Sequence, residues 1–140
     1  MKKLIEFTVP FPKVISGKKK GQLATMNLYP YWGRWQKTQI KNALRTRLED
    51  WLVPENTGDV YRNGRIIFSL YRPSRLRLDA DSASHINKMI IDIVTDQGYF
   101  VDDDQLQLVL NPVVVEKDRV ETDIKVEVFG DKVYKNKDKK

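Results

Sequence analysis

Two kinds of apolar periodicity alternate along this chain, and their order limits the folds open to it. Residues 4–9 place Ile5, Phe7 and Val9 at every second position, which is the spacing of a half-buried β-strand. Residues 34–52 instead repeat apolar side chains every three or four positions, as an amphipathic helix does. The first part of the chain therefore predicts a strand followed by a helix.

The strand pattern returns in the middle of the chain. Residues 66–71 alternate large apolar and other side chains and predict a strand. Residues 59–62 are expected to pair with it through a turn at Asn63 and Gly64, because that dipeptide favours hairpin turns. Between residues 10 and 33 no regular element is evident, which indicates a functional loop, a mobile loop or a short hidden element.

A second helix and two more strands complete the prediction. The helix is expected from about Ser82 or Ser84, either of which could cap it, to Asp96. Residues 106–115 and 120–129 predict two strands that form a hairpin. The order strand, helix, strand or hairpin, helix, hairpin predicts an α+β domain with a mixed β-sheet and two main helices.

The ends of this domain and its compartment follow from composition. Residues 1–130 are expected to form one domain, and residues 131–140, with five Lys, a basic disordered tail. No apolar run approaches the roughly 20 residues that cross a bilayer, so we expect a cytoplasmic protein. The chain has no Cys and a single His, which excludes a disulfide scaffold, a thiol nucleophile and a zinc site built on several imidazoles.

Charge is distributed unevenly along the sequence. Residues 79–104 carry seven Asp and one Lys, a sum of −6, whereas the rest of the chain sums to +12. A basic surface favours a polyanionic partner, because each phosphate that it neutralises releases condensed counterions. An acidic island within that surface would repel the same partner unless a divalent cation masked it.

The acidic residues form two groups, one on each side of the second predicted helix. Asp79 and Asp81 precede it, and residues 102–104 are three consecutive Asp. If folding brings the groups together, their oxygens suit Mg²⁺, and Lys88 could support a phosphate beside it. Each feature also has a simpler interpretation. Asp79 and Asp81 would belong to a turn or cap, residues 102–104 would form a solvated loop, and Lys88 would be a surface lysine paired weakly with Asp92.

Basic and aromatic side chains indicate where a nucleic acid would bind. Trp35 and its aromatic neighbours could stack on exposed bases or anchor a long loop on the core. His85 is expected at the surface or near the helix cap. The candidate phosphate contacts are Lys18, Lys19, Lys20, Arg34, Lys37, Lys41 and Arg45.

The acidic segment contains an ordered series of motifs: Asp79-x-Asp81, Lys88, Asp92, Gly98-Tyr99-Phe100-Val101-Asp102-Asp103 and Gln105. This series resembles that of the RusA family of Holliday-junction resolvases. Two features depart from the family pattern. Ser82 stands where Asn usually follows the second Asp, and the interval from Asp81 to Lys88 is about three residues longer than in the short form.

The resemblance implies a function and assigns roles to residues. It implies a homodimeric endodeoxyribonuclease that resolves four-way DNA junctions, with Asp79, Asp81 and Asp103 binding Mg²⁺, or Mn²⁺ in its place, and with Lys88 supporting catalysis. One alternative is a basic module of the same fold that binds DNA without cutting it. Another is a protein-interaction domain whose acidic island binds a basic partner.

Overall fold

The computed structural model describes residues 2–14, 18, 20–25, 33–52, 60–96 and 106–133. Within these ranges the chain forms β1 (Lys2–Pro10), α1 (Arg34–Leu52), β2 (Val60–Pro73), α2 (Ser84–Asp96), β3 (Leu106–Leu110), β4 (Val114–Glu116) and β5 (Asp123–Val133). A short 3-10 helix, Ala80–Ala83, leads into α2. The predicted α+β fold with a mixed sheet and two helices is confirmed. Across the described ranges, neither helix is long and apolar enough to span a membrane.

Strand β2 lies in the interior of the sheet and organises it. One of its edges pairs antiparallel with β5, which in turn pairs antiparallel with β1. Its other edge pairs in parallel first with β3 and then with β4. The predicted hairpin of residues 106–115 with 120–129 is therefore wrong, because β2 separates those segments. Alternating side chains identify a strand, but they do not identify its neighbour.

The predicted turn at Asn63 and Gly64 is a bulge within one continuous strand. Residues on both sides of it pair with β5, and the register shifts between Arg62 and Arg65. Asn63 adopts a φ of 53°, and its Nδ2 donates a hydrogen bond of 3.3 Å to Asp131 Oδ2. Asn tolerates the left-handed conformation that both a hairpin turn and a bulge require, so the dipeptide fits either structure.

The core lies on the face of the sheet that the helices cover. Register places Phe7, Val126 and Phe68 in one row across three strands, and Val9, Ile124 and Leu70 in the next. All six side chains are buried and form one apolar cluster with the helices. The helices contribute Ile40, Leu44, Leu48, Ile86, Met89, Ile90, Ile93 and Val94.

The predicted tail begins too early. Residues 131–133 belong to β5 and pair with residues 60–62 of β2. Backbone hydrogen bonds make this pairing, so it needs no apolar periodicity and left no signal in the sequence. Residues 134–140 lie outside the described part of the chain.

The described residues between 12 and 24 form a short hairpin-like element, so the hidden element that was one of the alternatives for this segment is present. An isolated bridge joins Lys13 to Leu23, and the Ala24 N–H donates to the Pro12 carbonyl at 2.8 Å. Gly21, near its turn, has a φ of 89°. Val14 and Ala24 are buried in the core, so this element, which we call the basal hairpin, is anchored at its open end.

Candidate phosphate-binding cleft

A cleft of about 500 Å³ lies between α1 and α2. Its lining residues are Lys37, Thr38, Lys41, Ser84, His85, Lys88, Met89 and Asp92. Three ammonium groups and one carboxylate give this lining an excess of positive charge. The helical repeat accounts for the arrangement: Ile40 and Leu44 enter the core, while Lys37 and Lys41, one turn apart, lie beside α2.

Among the described residues, Lys88 is a cation of the cleft that has no carboxylate partner. Its side chain is exposed, and within the described ranges no carboxylate lies within 4 Å of its ammonium group. The expected partner, Asp92, lies 3.5 Å from Lys41 Nζ instead, so the predicted pairing of Lys88 with Asp92 is wrong. Tertiary packing brings α1 close enough to compete for Asp92.

Two ion pairs connect the helices along one edge of the cleft. Lys41 Nζ lies 3.5 Å from Asp92 Oδ2, and Arg45 Nη2 donates to Asp96 Oδ2 at 3.0 Å. The four side chains are between 35% and 55% exposed. Exposed pairs of this kind contribute only about 0–1 kcal/mol. Two of the predicted phosphate contacts therefore already face carboxylates of the same chain.

His85, the second residue of α2, lines the cleft and is buried, so the expected position near the helix cap is confirmed and the expected surface position is wrong. Its Nε2 lies 2.6 Å from the Ala24 carbonyl oxygen, in the basal hairpin. Because a carbonyl only accepts hydrogen bonds, Nε2 carries the proton. Burial lowers the pKa of His85, and the bond to the carbonyl opposes that shift. The neutral imidazole therefore joins the hairpin to the first turn of α2.

Asp79 and Asp81 lie exposed around the 3-10 helix that precedes α2. The Asp79 N–H donates to Ser82 Oγ at 3.2 Å, and Ser84 Oγ donates to the Asp81 carbonyl at 2.6 Å. These hydroxyls fix the backbone of the turn. Ser82 therefore has a structural role at the position where the resemblance expects Asn.

The third predicted metal ligand, Asp103, lies outside the described residues, as do Asp102 and Asp104. The next described residue, Leu106, pairs with Gly64 in β2. Among the described side chains, no three acidic, imidazole or thiol groups are placed together to hold a metal ion.

The other predicted contacts are spread over the surface. Lys18 and Lys20 are exposed in the turn of the basal hairpin, and Arg34 is exposed at the first residue of α1. Lys19 lies outside the described residues. Trp35 is 58% exposed and thus does not anchor a loop on the core.

Sequence reasoning missed two hydroxyl groups of the cleft, on Thr38 and Ser84. Thr38 directly follows Lys37, and Ser84 is the first residue of α2. The sequence marks Thr38 only by its position beside Lys37, and Ser84 only by its position at the start of the helix.

Comparison of the chain with models of known protein families finds no match, and none of the curated proteins matches it.

Proposed function

We propose that this protein is a Mg²⁺-dependent endodeoxyribonuclease that cuts branched DNA such as four-way junctions, as the resemblance to the RusA family implies. The observation that carries the proposal is Lys88, an exposed cation without a carboxylate partner in the described residues. It lies on α2 in a cleft with two further lysines, and the turn before α2 exposes Asp79 and Asp81. One segment of the chain thus carries both the oxygen ligands that would hold a metal and the lysine that would bind a phosphate.

The three carboxylates and the lysine would have different tasks. Asp79, Asp81 and Asp103 would hold the metal, and their hard oxygen donors suit Mg²⁺ or Mn²⁺. When bound, the metal would supply a water of lowered pKa and polarise a phosphoryl oxygen. Lys88 would stabilise the negative charge that develops on the phosphate, while Lys37 and Lys41 hold the neighbouring backbone.

The proposed substrate also suggests an assembly and a compartment. A four-way junction has approximate two-fold symmetry, so a homodimer would present one site to each of two opposed strands. By the resemblance to the RusA family, the protein would act in the cytoplasm of a bacterial or phage-infected cell. Both statements belong to the proposal.

The decisive experiment compares cleavage of a synthetic four-way junction and a linear duplex, each with and without Mg²⁺. We expect Asp81→Asn to lower junction cleavage by several orders of magnitude while junction binding is kept or becomes tighter, because a repelling charge is removed. Asp118→Asn is the matched control, since Asp118 is an exposed Asp in the turn after β4.

Each outcome of this experiment has one meaning. Cleavage by wild type and by Asp118→Asn, but not by Asp81→Asn, supports the proposal. Undiminished cleavage by Asp81→Asn rejects the assignment of the metal ligands. Salt-sensitive junction binding with no nicked product in Mg²⁺ or Mn²⁺ rejects the nuclease and leaves the DNA-binding module.

A further inference from the structure

We infer that the edge of the cleft is a binding site for one nucleic-acid strand, in which Asp92 and Asp96 hold the places of two backbone phosphates. A strand binds Lys41 and Arg45 by displacing these carboxylates. The inference deepens the proposed function and rests on its DNA-binding part, not on its chemistry.

The spacing of the four side chains carries the first step. Lys41 and Arg45 are four residues apart on α1, and Asp92 and Asp96 are four residues apart on α2. Four residues rise about 6 Å along a helix axis. Each cation faces one carboxylate, at 3.5 Å and 3.0 Å. Asp92 and Asp96 are thus two anions separated by about one helical turn along α2, a spacing of the same order as that of successive phosphates on a strand.

The second observation is the solvent exposure of these pairs. The Asp92 and Asp96 side chains are 47% and 55% exposed, so water already solvates their carboxylates. The separation of 3.5 Å between Lys41 and Asp92 exceeds that of a charge-assisted hydrogen bond. Displacing such a carboxylate costs little, and a phosphate that replaces it gains from the release of its own counterions.

The third observation is what surrounds the two ion pairs. The Lys41–Asp92 pair lines a cleft that also contains Lys37, Lys88 and the hydroxyl of Thr38. A strand that displaced the carboxylates would therefore meet further cations and a hydrogen-bond donor.

The outer face of the sheet provides a contrast. There Lys3 Nζ contacts Glu6 at 2.7 Å and Glu127 at 3.0 Å, among residues that do not line this cleft. Ion pairs therefore occur both on the outer face of the sheet and at the edge of the cleft. The feature that distinguishes the edge of the cleft is the open basic cleft beside it.

The test is fluorescence anisotropy of a labelled four-way junction with the full chain in EDTA, at several salt concentrations. We expect Asp92→Asn and Asp96→Asn each to tighten binding by about three- to tenfold, since each frees a cation for a phosphate. The slope of log K against log salt should steepen by about 0.9 for each freed cation. Glu127→Gln is the matched control, because it removes one negative charge beside Lys3, away from the cleft.

A double-mutant cycle keeps the test independent of small changes in folding. Lys41→Gln should weaken binding several-fold more in the Asp92→Asn background than in wild type, because only the variant presents an uncompensated Lys41. Circular dichroism and thermal melting verify that each variant is folded. Affinities of Asp92→Asn and Asp96→Asn equal to that of Glu127→Gln, or weaker, overturn the inference, and so does an absence of coupling in the cycle or of junction binding altogether.

Cleavage in Mg²⁺ is measured separately and decides the proposed function. Tighter binding by Asp92→Asn without cleavage by wild type would uphold the inference and reject the nuclease. Cleavage by wild type with no difference between Asp92→Asn and Glu127→Gln would do the reverse.

Discussion

His85 is a titratable residue whose side chain is bonded to a loop that is distant in the sequence. The imidazole is buried, and its Nε2–H bonds the Ala24 carbonyl across 61 residues of sequence. Below the cleft, this bond connects α2 to the basal hairpin, whose turn exposes Lys18 and Lys20. The protonation state of one residue thus bears on the attachment of a basic element.

We predict that the protein loses stability as pH falls below about 6.5, the ordinary pKa of His85. Since folding lowers that pKa, the unfolded chain binds the proton more readily, and stability therefore rises with pH through this range. His85→Gln retains an amide donor for Ala24 but does not titrate. Thermal melting at pH 5.5 and 7.5 should show a smaller change for His85→Gln than for wild type, and equal changes would contradict the prediction.

Individual residues of the cleft were partly predictable. Lys37 and Lys41 were both among the candidate phosphate contacts, and both line the cleft. Sequence could not show that Asp92 pairs with Lys41 and that His85 is buried, because both facts depend on which distant segments pack against α2. Local spacing predicts neighbours within an element, whereas partners across elements require the tertiary fold.

At the scale of the element, the bulge of β2 is the feature that sequence interpreted wrongly. Asn63 has a φ of 53°, a conformation that is especially unfavourable for β-branched residues. We predict that Asn63→Val lowers the free energy of unfolding by about 1–2 kcal/mol. Asn63→Gly should change it by about 0.5 kcal/mol or less, because Gly adopts this conformation freely while the exposed bond to Asp131 contributes little. Urea denaturation measures both, and similar losses would exclude backbone strain as the cause.

The elements were predicted better than their pairing. The periodicity of residues 34–52 matches α1, and that of residues 66–71 lies within β2. Residues 106–115, expected to be one strand, form β3 and β4 with residues 111–113 between them. Both strands pair in parallel with β2, and the connection that leads from β2 to them contains α2. Residues 116–119, which join the two strands of the predicted hairpin, carry no information about this pairing.

At the scale of the whole molecule, burial is uneven across the sheet. Ile66 and Leu108 are partners in the register of β2 and β3, yet Ile66 is fully buried and Leu108 is 48% exposed. We predict that Ile66→Ala lowers the free energy of unfolding by about 2–5 kcal/mol and that Leu108→Ala costs less than half as much. Guanidinium unfolding compares them, and equal losses would indicate that another surface covers Leu108 in solution.

The place of β5 in the sheet has a consequence for biosynthesis. This strand lies between β1 and β2, although it is the last described strand to leave the ribosome. Until residue 133 has emerged, β1 lacks its partner and one edge of β2 is open. The nascent chain must therefore keep two apolar strands from pairing wrongly until β5 has been synthesised and can enter the sheet between them.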